Sequence, residues 1–131
     1  MSHMQMVSIV DDDPHAREGI KELVESLGYG ALAFVSAQDF LQSGAVAKTS
    51  CLITDLQMPG LNGLELQERL QAQGYQTPVI LITAYPNENH RRRALSAGAV
   101  GFLSKPFEEQ SLLECLTIAM ERPHDSHANC S

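Results

Sequence analysis

Five times along this chain a short apolar run gives way to an amphipathic stretch, and that alternation constrains the fold more than any single residue does. Met6–Val10 is a β-rich run stopped by Asp11-Asp12-Asp13 and Pro14. Pro14 suits the first position of a helix with Asp13 as its N-cap. Ile20, Leu23, Val24 and Leu27 then recur at helical spacing, and Gly28 suits the cap at the far end. Ala31–Val35 reads as a second, weaker strand, and Ser36-Ala37-Gln38-Asp39 as the capped start of a short helix. Cys51–Thr54 is a third strand that runs straight into Asp55. Met58–Gly63 reads as a tight loop by its Pro and Gly content, before a helix carrying Leu64, Leu66 and Leu70. Pro78–Thr83 is apolar throughout its interior, as a strand covered on both faces is. Glu88–Ala97 is expected as a helix ending at Gly98, Val100–Leu103 as a fifth strand, and Glu108–Met120 as a helix with Leu112, Leu113, Leu116, Ala119 and Met120 on its apolar face.

Five strands joined to five helices by short loops imply parallel pairing through right-handed crossovers. The expected class is therefore α/β: a five-stranded parallel sheet with helices on both faces, a (βα)5 flavodoxin-like doubly wound fold. A chain of 131 residues holds one such domain, and 44% hydrophobic against 19% charged residues excludes a disordered chain. We place the domain at residues 6–120. Residues 1–5 read as a lead-in in which Ser2-His3-Met4 resembles a cloning scar, so His3 carries no functional expectation. Residues 121–131 read as a linker or tail.

Charge and cysteine usage narrow the setting. Nine Lys+Arg against sixteen Asp+Glu leave −7, which argues against direct contact with nucleic acid or an anionic membrane. The apolar runs are too short to span a bilayer and no secretory signal opens the chain, so a cytoplasmic setting is expected. Three cysteines without a repeated spacing make no disulfide framework. Cys51 and Cys115 read as small buried hydrophobes, and Cys130 as a free thiol. His124, His127 and Cys130 are spaced by threes, but without a fourth ligand nearby they read as an unstructured tail rather than a soft-metal site.

In an open parallel sheet, chemistry gathers beyond the carboxyl ends of the strands. Those ends carry Asp11 and Asp12, Asp55, Thr83, and Ser104-Lys105. Taken singly, each has a structural explanation: an acid can cap a helix, as Asp13 is expected to, and a lysine can lie on the surface. Together they form a charge-matched site. Three carboxylates this close repel unless a cation joins them, and hard oxygen ligands with room for water suit Mg²⁺. Lys105 adds a fixed positive charge, so a phosphoryl group among Mg²⁺, Lys105 and the Thr83 hydroxyl has most of its charge matched. Asp55, the lone acid on its strand, is the candidate nucleophile for an aspartyl phosphate.

At this point the sequence resembles the receiver domain of bacterial two-component response regulators. The resemblance lies in Val10-Asp11-Asp12-Asp13, Leu52-Ile53-Thr54-Asp55, Met58-Pro59-Gly60-Leu61-Asn62-Gly63-Leu64, Ile82-Thr83-Ala84, Ala97-Gly98-Ala99 and Lys105-Pro106-Phe107. It implies that Asp55 accepts phosphate from a sensor histidine kinase. It implies that Asp12, Asp55 and the main-chain carbonyl of Gln57 ligate Mg²⁺, with Asp11 acting through water. Lys105 is implied to hold a phosphate oxygen ahead of a cis Lys105-Pro106 bond, and Thr83 and Phe102 to be the switch pair. Phe102 stands where tyrosine is commoner. Gln57 and Tyr85 occupy positions that vary in the family and tune phosphate lifetime. Phe34–Leu41 and Phe102–Phe107 look most like the nitrogen-fixation regulator (FixJ) type, which implies a DNA-binding output domain absent from this chain. Arg91-Arg92-Arg93 is a solvated helix face or, in the sharper reading, part of an interface for a phosphorylation-dependent homodimer.

The expected function is thus a phosphorylation-controlled signalling module, not an enzyme, beyond taking part in its own phosphorylation and dephosphorylation. A stand-alone phosphorelay receiver is the near alternative. A haloacid-dehalogenase-type phosphatase needs a second acid two residues after the nucleophile, where this chain has Gln57. A flavodoxin-like electron carrier needs a phosphate loop where this chain has three aspartates that repel an FMN phosphate. A pseudo-receiver acting by contact alone typically lacks some of the site residues present here.

Overall fold

The computed structural model describes residues 5–121. The Ser2-His3-Met4 segment, the His124, His127 and Cys130 triplet and residues 122–131 of the expected tail lie outside the described residues. Five strands, β1 (Met6–Val10), β2 (Gly30–Phe34), β3 (Cys51–Asp55), β4 (Val79–Thr83) and β5 (Gly101–Ser104), pair in parallel in the order β2-β1-β3-β4-β5. They alternate with α1 (Pro14–Ser26), α2 (Ala37–Gln42), α3 (Gly63–Ala72), α4 (Glu88–Ser96) and α5 (Glu109–Glu121).

The helices cover both faces of the sheet. One core joins Leu52 and Leu81 to Phe40, Leu66, Leu70 and Ala94 beneath α2, α3 and α4. The other joins Ile9, Ile53, Ile80 and Ile82 to Ile20, Val24, Leu112 and Leu116 beneath α1 and α5. Successive strand residues thus enter different cores, so β3 and β4 are buried at every position, and Cys51–Ile53 and Val79–Ile82 read as unbroken apolar runs ahead of their polar ends. On the second face Cys115 of α5 packs over Gly101, where an added Cβ would lie 2.5 Å from its Sγ. Burial also pushes the Cys51 thiol up to about 12, which keeps it protonated and inert.

Local chemistry sets most boundaries. The Asp13 carboxylate accepts the His15 N–H at 3.1 Å with Pro14 at the first helical turn, and the Ser36 hydroxyl accepts the Asp39 N–H at 3.0 Å. Gly28 follows α1 with φ +98°, a conformation that costs an L side chain steric energy. The Met58–Gly63 loop is one residue shorter than the sequence suggests. Asn62 and Glu65 form a reciprocal capping box, at 2.8 and 2.9 Å, that draws Gly63 into α3. β2 begins at Gly30 rather than Ala31, because the Gly30 N–H donates to the Gln5 carbonyl and Gly30 pairs with Met6.

Gly63 is confined for a different reason. A Cβ there would lie 2.6 Å from the Asp55 carbonyl oxygen and 2.7 Å from Leu81 Cδ2, so α3 seats itself directly on the end of β3. Gly19, inside α1, has nothing within 4 Å of its missing Cβ. Urea unfolding is therefore expected to show opposite signs at the two glycines. Gly63→Ala loses roughly 1–3 kcal/mol by overpacking, while Gly19→Ala gains about 0.5–1 kcal/mol of helix stability. Two losses of equal size would mean that the packing at Gly63 is not the cause.

Candidate functional site

Three of the chain's acids meet at the point where the strand order reverses. β1 and β3 are neighbours with Val10 opposite Thr54, so the next residues, Asp11 just past β1 and Asp55 at the end of β3, come to lie side by side. Asp12 joins them: one carboxylate oxygen from each of Asp11, Asp12 and Asp55 lies within 4.8 Å of the others. Asp11 and Asp55 are buried and Asp12 is exposed. Lys105, from the end of β5, reaches across β4 to both buried acids, its Nζ 3.1 Å from Asp11 Oδ2 and 3.3 Å from Asp55 Oδ2. The Lys105-Pro106 bond is cis.

Hydrogen bonds distribute the acids among different tasks. Asp11 Oδ1 accepts the Asp13 N–H at 2.9 Å, so both of its oxygens have donors inside the protein. Asp13 is occupied as a helix cap and lies outside the cluster. Burial and then the charge of Asp11 push the Asp55 carboxyl above the usual carboxylate range, against the pull of Lys105 and a hydrogen bond from the main chain of Gln57. For Lys105 burial acts downward, but the hydrogen bonds and charges of Asp11 and Asp55 outweigh it and raise the ammonium's pKa. The ammonium stays charged.

The remaining expected residues are less uniformly placed. Thr83 is fully buried at the end of β4, and its carbonyl accepts the Lys105 N–H at 2.8 Å. Its hydroxyl, however, donates to Gln57 Oε1 at 2.7 Å and accepts the Tyr85 N–H at 3.0 Å. Phe102 is half-buried on β5 and packs against the core beneath α2, α3 and α4. Arg91, Arg92 and Arg93 sit on α4, apart from the acids. Arg93 pairs with Glu68 of α3 at 2.9 Å, Arg91 with Glu88 at 3.7 Å, and Arg92 donates to Asn89 at 3.4 Å.

Two site contacts escaped the sequence reading. Arg17 Nη1 donates to the Asp11 carbonyl at 2.8 Å and braces the acid turn. Its signal was present, since a cation in the first turn of a helix runs against the helix dipole and needs a partner. The carboxamide of Gln57 is the hydrogen-bond partner of Thr83, and no local pattern announces a contact across 26 residues.

Sheet order and edge chemistry together define the fold of a signalling receiver. The chain belongs to the response regulator receiver domain family, which matches it over residues 7–117. It is 41% identical over 117 residues to nodulation protein W of Bradyrhizobium diazoefficiens, an alignment covering 89% of this chain and 52% of that protein. It is 34% identical over 116 residues to the transcriptional regulatory protein FixJ of the same organism, covering 88% and 57%. The chain thus spans about half the length of these curated relatives. The crystal structure of FixJ-N superposes with a TM-score of 0.82 at 31% identity, covering 93% of this chain and 98% of that one.

The raised Asp55 has a consequence for stability. A native pKa above the unfolded value means that the folded protein holds this proton more tightly than the unfolded chain. Stability therefore falls as pH rises from the ordinary carboxylate pKa through the native one. In metal-free protein, Asp55→Asn is expected to raise the thermal midpoint at neutral pH, by roughly 4 °C for each kcal/mol of relieved strain. The gain should shrink toward zero at acid pH, where Asp55 is protonated in both states. Calorimetry in EDTA at both pH values measures it, and a gain independent of pH would assign the effect to something other than this charge.

Proposed function

We propose that this receiver domain takes a phosphoryl group onto Asp55 from the phosphohistidine of a sensor histidine kinase, in the cytoplasm, as the regulatory unit of a response regulator. The observation that carries the reading is Lys105 bridging Asp11 and Asp55, with Asp12 at the open side of the same cluster. An Asp55 oxygen attacks phosphorus as the phosphorus–nitrogen bond of the phosphohistidine breaks, its electron pair leaving with the imidazole. The product is an acyl phosphate on Asp55. Lys105 is positioned to turn from the carboxylates to a phosphoryl oxygen, and so to offset the new charge.

The donor set fits Mg²⁺. Three carboxylate oxygens within 4.8 Å offer hard ligands, and the exposure of Asp12 leaves room for water. Asp12, Asp55 and the Gln57 main-chain carbonyl are the proposed direct ligands. Asp11, whose oxygens already accept from Lys105 and Asp13, acts through water. Bound there, Mg²⁺ neutralises charge that the acids and a phosphoryl group would otherwise concentrate at one point. The module catalyses nothing beyond its own phosphorylation and dephosphorylation. A phosphatase of the dehalogenase type needs an acid at Gln57, whose carboxamide is instead tied to Thr83.

The output we propose is self-association. Phosphorylation adds about −1.5 to −2 charges near Thr83 and Lys105. Movement of Thr83 toward that charge makes room for Phe102 and reshapes the surface of α4 and β5. The ion pairs of Arg91 and Arg93 are exposed and weakly held, so they can be exchanged for acidic partners on a second copy. A DNA-binding output domain beyond this chain is the proposed recipient of the signal.

Acetyl phosphate with Mg²⁺ is expected to add one phosphoryl group by intact mass. Asp55→Asn and EDTA should both abolish the addition, and Asp12→Ala should slow it more than Asp13→Ala. A fully labelled Asp55→Asn protein would sink the assignment.

Light scattering should then show a larger particle after phosphorylation, with the increase reduced in Arg91→Glu and in Phe102→Ala. An unchanged mass on phosphorylation would reject the dimer while leaving the Asp55 chemistry intact.

A further inference from the structure

We propose that the side chain of Gln57 is a latch that holds the Thr83 hydroxyl in its resting position, so that Gln57 sets how readily the protein enters its phosphorylated conformation. The inference rests on the reading of Asp55 as the phosphoacceptor and assigns a further positioning residue to that site.

A hydroxyl has one proton to give. That of Thr83 goes to Gln57 Oε1 at 2.7 Å, while its oxygen accepts the Tyr85 N–H at 3.0 Å. Thr83 therefore cannot donate to a phosphoryl oxygen until the bond to Gln57 breaks. Thr83 has no solvent exposure, so water cannot replace Gln57 while the hydroxyl stays where it is. Gln57 is exposed and can take its released carboxamide into water. It lines an open cavity of about 420 Å³ with Met58, Pro59, Asn62 and His90, which gives the side chain room to leave. The asymmetry favours release only when Thr83 has a better acceptor, and a charged phosphoryl oxygen is one.

Gln57 also reaches the phosphoacceptor itself. Its main chain lowers the Asp55 pKa while its side chain accepts from Thr83. One residue thus bears on both the group that receives phosphate and the group that responds. The latch acts on the equilibrium between two conformations, which a ligand shifts only through its differential affinity for them. That effect is separate from any influence of this position on the rate of hydrolysis.

The test uses beryllium fluoride with Mg²⁺ as the phosphoryl mimic, titrated calorimetrically into the full chain. Gln57→Met keeps the length of the side chain and removes the acceptor. It is expected to bind beryllium fluoride about three- to tenfold more tightly than wild type, the range for one neutral hydrogen bond. In a Thr83→Val background, which keeps the shape and removes the hydroxyl, Gln57→Met is expected to change nothing. Equal affinities for Gln57→Met and wild type would overturn the latch. So would an undiminished gain in the Thr83→Val background, because Gln57 would then act on access to Asp55 rather than through Thr83. Wild-type protein that takes up no beryllium fluoride would instead overturn the Asp55 reading, and the latch with it.

Discussion

Asp11 and Asp55 leave neighbouring strands and stand within reach of one ammonium group, Lys105 Nζ, at 3.1 and 3.3 Å. Two carboxylates about 4 Å apart repel by roughly 4 kcal/mol at an effective dielectric constant near 20, a large share of a small domain's stability. Burial first, and then that repulsion, hold the Asp55 carboxyl above the usual carboxylate range. Lys105 reduces the repulsion without abolishing it. The edge is therefore poised: it tolerates its acids at rest and gains from any further positive charge brought among them.

The sheet makes this arrangement possible by bringing together residues far apart in the chain. Lys105 is 94 residues from Asp11 and 50 from Asp55, and it reaches both across β4, the single strand between β3 and β5. Apolar burial on both faces supplies the rigidity. β3 and β4 carry no exposed residue, so their carboxyl ends cannot slide without exposing both cores. Gly63 extends that rigidity to the loop after Asp55, since only a residue without a side chain lets α3 rest on the Asp55 carbonyl. Arg17 does the same for the turn after β1.

Against this fixed frame, the movable parts are side chains at its rim. Thr83 is buried but its hydroxyl is held by an exposed partner, Gln57, and Phe102 is only half-buried. Interactions of this kind change partners without disturbing the cores. The arginines of α4 belong to the same layer: exposed pairs such as Arg93–Glu68 contribute little to stability and leave the helix surface open to other partners.

Much of this was legible in the residues. The alternation of apolar runs with helical periodicity specified parallel strands and two-sided burial, because each helix must lay its apolar stripe on the sheet. Asp13 and Ser36 announced their own caps, since capping acts over two or three residues. The acids and Lys105 could be assigned to one edge because every parallel strand ends on the same side. Boundaries moved by a residue where a local pair went unread, as with Asn62 and Glu65. What the sequence could not decide was which donor meets which acceptor. The Lys105 bridge, the Arg17 brace and the Gln57–Thr83 bond join residues 6 to 94 positions apart. Periodicity and capping are short-range rules fixed by backbone geometry, whereas those partners are chosen only when strand order and helix packing bring distant side chains within 3 Å or so.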